Sequence, residues 1–125
     1  MNLFQTQEKH PYLHINCKAL TDEDWNSIAF LLSKKLSNFK RTIGVPKSGK
    51  ILAEKMEKYA TDKDSLPTLI CDDTLISSAS LNKFKSILQA SESYGGVRYV
   101  DDKFIGAVAF LGGKCPQWVT PLIKM

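Results

Sequence analysis

Two adjacent carboxylates, Asp72 and Asp73, directly follow the apolar run Leu69-Ile70-Cys71. Neighbouring acids repel each other, and such a pair is tolerated where cations or hydroxyl donors compensate. A few residues later come Ser77, Ser78, Ala79 and Ser80, small and mostly hydroxyl-bearing, at the expected start of a helix. Free backbone N–H groups, the helix dipole and serine hydroxyls together make an anion cradle. Acids able to accept from sugar hydroxyls and a cup able to hold a phosphate thus share one loop, the combination a ribose 5′-phosphate requires. Acids at a turn and serines at a helix start also serve as local caps, so residue types alone leave both readings open.

A second loop has complementary chemistry. Ile43-Gly44-Val45-Pro46-Lys47-Ser48-Gly49-Lys50 reads as a strand entering a turn and then a helix. Backbone N–H groups around Lys47, Ser48 and Gly49 suit a pyrophosphate, and Gly49 lets the chain approach closely. The spacing is not that of a Walker loop, which needs Gly-x-x-x-x-Gly-Lys-Ser/Thr. Alone, the segment also reads as a solvated turn before a helix.

The elements that must position these loops follow from periodicity. Tyr12 to Asn16 alternates and predicts a short edge strand. Thr21 caps a helix with Asp22, Glu23 and Asp24 in its first turn, and Trp25, Ile28, Ala29, Leu32 and Leu36 on its apolar face, ending near Ser37-Asn38. Arg41 to Val45 predicts a strand. Ile51, Leu52, Met56 and Tyr59 predict a second helix. Thr68 to Cys71 is a continuous apolar run suited to a strand buried on both faces, ending at the Asp pair. Leu81, Phe84, Ile87 and Leu88 mark a third helix, Tyr94 to Val97 a turn, Ile105 to Leu111 a buried strand, and Trp118 to Ile123 a last one. Strands alternating with helices predict an α/β fold: a mostly parallel sheet flanked by helices, with right-handed crossovers and ligands beyond the carboxyl ends of the strands. The expected organisation is a single domain over residues 1–125.

Composition narrows the function classes. With 43% apolar and 24% charged residues, the chain is neither disordered nor a disulfide-knotted module. Cys17, Cys71 and Cys115 stand far apart with no C-x-x-C, which predicts reduced thiols. No basic stretch leads into an apolar one near Met1, and Phe104 to Leu111 is too short to span a bilayer. A cytoplasmic protein without membrane association is expected. A net charge of +4 favours phosphate ligands but is too weak to imply nucleic acid. Lys34, Lys35, Lys40 and Arg41 read as a solvated helix end.

The segment Thr68 to Ser80 resembles the phosphoribosyl pyrophosphate-binding motif of type I phosphoribosyltransferases: an apolar strand, an acidic pair, two further residues, then a Thr/Gly-rich cup. Asp72 and Asp73 match the acids, and Ser77, Ala79 and Ser80 match conservatively; Ile76 and Ser78 depart from the pattern. Ile43 to Ala53 resembles the family's pyrophosphate loop. The resemblance covers roughly residues 41 to 123 and implies a phosphoribosyltransferase-like, Rossmann-like core. It implies that Asp72 and Asp73 hold the ribose hydroxyls and, indirectly, Mg²⁺, with catalysis assigned to this pair. Ser77, Ser78, Ala79 and Ser80 would hold the 5′-phosphate, and Lys47, Ser48 and Gly49 the pyrophosphate. Trp118 would stack on the base and Gln117 read its edge, although Trp118 also suits the edge of the core.

The ligand implied is phosphoribosyl pyrophosphate or a 5′-ribonucleotide, with a homodimer as the expected assembly. In the branch of the family that uses 6-oxopurines an Asp stands where this chain has Ile76, which argues against hypoxanthine or guanine. The interval from Gly44 to Asp72 is short, and one helix with its following turn uses nearly all of it. The family's extra strands and closing loop have no room there, so a lid would have to come from elsewhere, such as Glu92 to Arg98. The chain is thus expected to be a transferase or, alternatively, a non-catalytic nucleotide-binding sensor or assembly subunit that kept the phosphate cup.

Overall fold

The computed structural model describes all residues except 1–3, 8–9, 16, 76–78 and 125. Strands β1 (Phe4–Gln7) and β2 (His10–Ile15) form an antiparallel ribbon. The predicted first strand therefore exists, but its partner is β1 rather than the main sheet. Helix α1 (Asp22–Lys35) follows. Thr21 caps it with a reciprocal pair of bonds: its Oγ1 accepts from the Asp24 N–H at 3.1 Å, and Asp24 accepts from the Thr21 N–H at 2.8 Å. This box satisfies two of the donors that a helix start leaves open. The helix ends at Lys35, slightly before the expected point, because Leu36 is already extended.

The main sheet consists of β3 (Arg41–Gly44), β4 (Thr68–Leu75), β5 (Phe104–Leu111) and β6 (Val119–Lys124), parallel and in that spatial order. Helix α2 (Lys50–Met56) connects β3 to β4, and α3 (Ala79–Ala90) connects β4 to β5. Strand β4 does not stop at the Asp pair. Its ladder with β5 continues through Asp72 opposite Val108 and Thr74 opposite Phe110, because β5 extends far enough to keep supplying partners.

Both sheet faces are covered, which explains the uninterrupted apolar reading of β4. Leu69 and Cys71 pack with Trp25, Leu32, Leu52 and Met56 under α1 and α2. Ile70 packs with Leu81, Phe84 and Leu88 under α3. This layering corrects one expectation. The chain advances across the sheet in the same direction from β3 to β4 and from β4 to β5, yet α2 and α3 lie on opposite faces. The two crossovers are therefore of opposite hand, and one departs from the right-handed rule. The β5–β6 connection packs Cys115 and Trp118 on the α3 face and so shares the hand of the α3 crossover. The odd one is the short interval through α2.

At the amino ends of the strands, Lys40 and Arg41 are not a solvated helix end. Both bind the Asp102 carboxylate, at 3.0 and 2.5 Å, and Thr68 Oγ1 donates to it at 2.5 Å. Arg41 also lies over the Tyr99 ring, 4.5 Å from its centre, and donates to the Arg98 carbonyl. Burial works to raise the Asp102 pKa, but the bonds from Thr68, Arg41 and Lys40 outweigh it and hold the carboxyl below its ordinary value. The cluster ties β3, β4 and the loop before β5 together. It also fixes the segment Glu92 to Arg98 at the end of the sheet opposite Asp72, where it cannot act as the expected lid. Removing the shared acid strands two partly buried cations. Asp102→Ala should therefore lower unfolding free energy by about 2–3 kcal/mol in urea denaturation; a loss below about 0.5 kcal/mol would show that the cluster does not hold the sheet together.

Candidate functional site

The turn between β3 and α2 rests directly on the middle of β4, at Cys71, where the β3–β4 ladder ends. Val45 N–H donates to the Cys71 carbonyl at 2.9 Å, and Gly49 N–H donates to the Val45 carbonyl at 2.9 Å. Contact is close enough to exclude side chains. A Cβ on Gly49 would run into the Cys71 carbonyl oxygen, and one on Gly44 would stand 2.5 Å from the Gly49 carbonyl carbon. Inside the turn Lys47 has φ 69, a left-handed conformation unusual for a side chain with a Cβ. Pro46 before it has a fixed φ, and the turn closes through the Gly49 N–H bond to the Val45 carbonyl, with lysine at a left-handed position where glycine is usual. A non-glycine residue there carries strain of about 1 kcal/mol, a feature that concentrates at functional loops.

The Asp pair divides in two. Asp72 is 4% exposed, and its Oδ1 accepts from Ser48 Oγ at 2.6 Å and from the Asp73 N–H at 2.8 Å. Burial pushes its pKa up to about 6, against the lowering effect of the Ser48 bond. Asp73 is half-buried and lines a cavity of about 370 Å³ together with Cys17, Trp25, Lys47, Ser48 and Ile51. One wall is thus an acid facing a lysine and a serine; the other is apolar. Cys17 Sγ lies 3.5 Å from Thr74 Oγ1, and burial keeps the thiol above its ordinary pKa, hence neutral. Neither Cys17 nor Trp25 carries a motif signature; only the structure brings them to the acid.

Of the residues singled out in the sequence, the structure brings Asp72, Asp73, Lys47, Ser48 and Gly49 together. Ala79 and Ser80 open α3 just after β4 and are exposed; Ser77 and Ser78 lie outside the described residues, as does Ile76. Trp118 and Gln117 are not at the cavity. Trp118 precedes β6 on the α3 face of the sheet, whereas the cavity opens on the α1–α2 face. Its Nε1 donates to Asn82 Oδ1 at 3.3 Å, and the Lys85 ammonium lies 4.5 Å from its ring centre. A Cβ on Gly106 would meet its ring at 2.9 Å, so the indole packs against β5. Those contacts fit the core-edge role, and the register explains why: Val119 pairs with Gly106, and Gly106 with Ile70, which puts Trp118 short of Asp72 along the strands.

Two outcomes follow. Gly49→Ala forces a Cβ against a carbonyl oxygen and should cost about 1–3 kcal/mol of stability; an unchanged melting temperature would contradict the close contact. The raised Asp72 pKa fixes the sign of a pH effect. Between about pH 4 and 6 the folded state keeps a proton that the unfolded chain has released, so ionised Asp72 weakens the fold at neutral pH. Asp72→Asn should raise stability at pH 7.5 by about 1–2 kcal/mol, after allowance for solvent screening, and this gain should vanish by about pH 4. A gain independent of pH would contradict the assignment.

No protein-family model matches the chain, and no curated protein matches it. Among solved structures, it is similar to the xanthine-guanine-hypoxanthine phosphoribosyltransferase of Helicobacter pylori, with 18% sequence identity and a TM-score of 0.53. The match covers 81% of this chain and 88% of that one. At this identity the likeness is one of fold: four parallel strands with helices on both faces form a phosphoribosyltransferase-like core.

Proposed function

We propose that this chain binds phosphoribosyl pyrophosphate, or a 5′-ribonucleotide, at the carboxyl ends of β3 and β4 and transfers phosphoribose to or from a nitrogenous base. The observation that carries the reading is the Val45–Lys50 turn locked on β4 at Cys71, with Lys47, Ser48 and Asp73 lining one cavity, in a core of this fold. Backbone N–H groups of Lys47 and Ser48 and the Lys47 ammonium take the pyrophosphate, and Gly49, whose own N–H is bonded to the Val45 carbonyl, lets the chain approach closely. Ser77, Ser78, Ala79 and Ser80 take the 5′-phosphate, the last two at the start of α3. Asp73 accepts from the ribose hydroxyls.

Transfer joins a base nitrogen to C1 of the ribose as the bond to pyrophosphate breaks. The reacting carbon passes through a cationic state, so a nearby carboxylate and an oriented leaving group supply most of what is needed. Mg²⁺ is commonly held by one or two carboxylates together with substrate phosphates. Asp73 beside the pyrophosphate turn fits that mode. Among the described residues no group of three or more His, Cys, Asp or Glu could hold a metal ion. The ion would offset the charge of the leaving pyrophosphate. Ile76 takes no proton, which favours a base that need not lose one at that position.

One observation favours a second reading. Strands β3 and β4 are direct neighbours, and the interval between them holds only α2, a 3-10 turn (Glu57–Tyr59) and a loop. No closing loop rises from it to exclude water. The alternative is a nucleotide-binding sensor or assembly subunit without turnover. Calorimetric titration with magnesium phosphoribosyl pyrophosphate tests what the two readings share: wild type should bind, and Asp73→Asn should bind at least about tenfold more weakly, or about 1.4 kcal/mol. Absence of binding, or equal affinity for both, would refute the ligand. Pyrophosphate release across a panel of bases then separates them: release with one base supports transfer, and binding without release supports the sensor.

A further inference from the structure

We propose that Asp72 is a positioning residue rather than a ligand contact: through Ser48 it holds the strained Val45–Lys50 turn, and Asp73 alone of the pair faces the ligand. This rests on the reading of the turn as the pyrophosphate site. Asp72 is 4% exposed and spends Oδ1 on the Ser48 hydroxyl and the Asp73 N–H, whereas Asp73 is half-buried and lines the cavity. Parity along β4 accounts for the division, since successive side chains of a strand point to opposite faces.

The turn needs such a holder. Lys47 stands at φ 69 between Pro46 and Ser48, and the conformation relaxes unless the surroundings impose it. Val45 is bonded to the Cys71 carbonyl, against which Gly49 packs, which leaves the outer part of the turn to be held from Ser48. Ser48 is itself exposed, so without Asp72 its hydroxyl would turn to water. The buried acid thus shapes a site whose contacts are made by its neighbours. Asn in its place keeps an oxygen acceptor for Ser48; Ala does not.

Hydrogen exchange of the unliganded protein and titration with magnesium pyrophosphate test this together. Ser48→Ala and Asp72→Ala should each speed exchange of the Gly49 and Val45 amides at least about tenfold and weaken pyrophosphate at least about tenfold. The double variant should be no worse than either single one. Asp72→Asn should restore both readouts to within about threefold of wild type. Lys47→Gly, which removes the left-handed strain, should recover amide protection in the Ser48→Ala background without recovering affinity. If Asp72→Asn loses pyrophosphate as fully as Asp72→Ala while amide exchange stays normal, the acid is a direct contact and the proposal is overturned. If wild type does not bind pyrophosphate, the ligand reading fails, and the exchange arm still decides the positioning role: normal exchange in Ser48→Ala refutes it, accelerated exchange upholds it. Ser48→Ala leaves the core untouched, so the test survives misfolding of Asp72→Ala.

Discussion

The contact on which the rest of the site depends is between backbone and backbone. Gly49 lies so close to the Cys71 carbonyl that no side chain fits between them, and Gly44 is similarly close to Gly49. This brings the turn after β3 flush with β4 at Cys71 and sets Lys47 and Ser48 beside the Asp pair. The remaining architecture serves to hold those two strand ends in register. Arg41 pairs with Thr68 across the ladder, and the Asp102 cluster clamps the same two strands at their amino ends. The molecule is thus pinned by charges at one end of the sheet, with the Asp pair and the Val45–Lys50 turn toward the other. Such separation leaves the carboxyl ends free to hold groups that the fold does not itself require.

The opposite hand of the α2 crossover belongs to the same economy. A chain that must pass from β3 to the adjacent β4 through one short helix and a 3-10 turn has little freedom over the face it covers. Here α2 packs beside α1, on the face where Leu52, Ala53 and Met56 complete the first core cluster. The α3 face is filled separately by Leu81, Phe84 and Leu88. The absence of strands between β3 and β4 is therefore not a local trimming of a loop. It changes how the sheet is covered, and it leaves Cys17 and Trp25 to line the cavity at Asp73.

Much of this was legible in the residues. The capping box at Thr21, the buried run Leu69 to Cys71 and the apolar spacing of α3 each express a local rule that tertiary structure upheld. What stayed hidden depends on pairing and on layer. The extension of β4 through the Asp pair depends on the length of β5, a strand some thirty residues away (roughly) in sequence. The separation of Asp72 from Asp73 follows from which face each presents, which the motif does not encode. Ile51 and Ile87 fit a helical apolar stripe yet remain exposed, because neither α2 nor α3 has a layer packed outside it at those positions. Lys40 and Arg41 read as solvated because their partner, Asp102, comes from a distant loop. Trp118 reads as an aromatic near the site; the parallel register of β6 and its contacts with Asn82 and Lys85 set it on the α3 layer, off the cavity at Asp73 but beside the first turn of the helix that Ala79 and Ser80 open.

The central claim is that two loops on neighbouring strands form one anion site. Amide chemical-shift mapping of the labelled protein during titration with magnesium phosphoribosyl pyrophosphate tests it most directly. The account predicts that the amides of Lys47, Ser48, Gly49 and Ser80 shift together on a single saturation curve, while those of Asp102 and Lys103 at the far end of the sheet do not move. Shifts confined to one loop, separate saturation curves for the two, or shifts centred on the far end would contradict it.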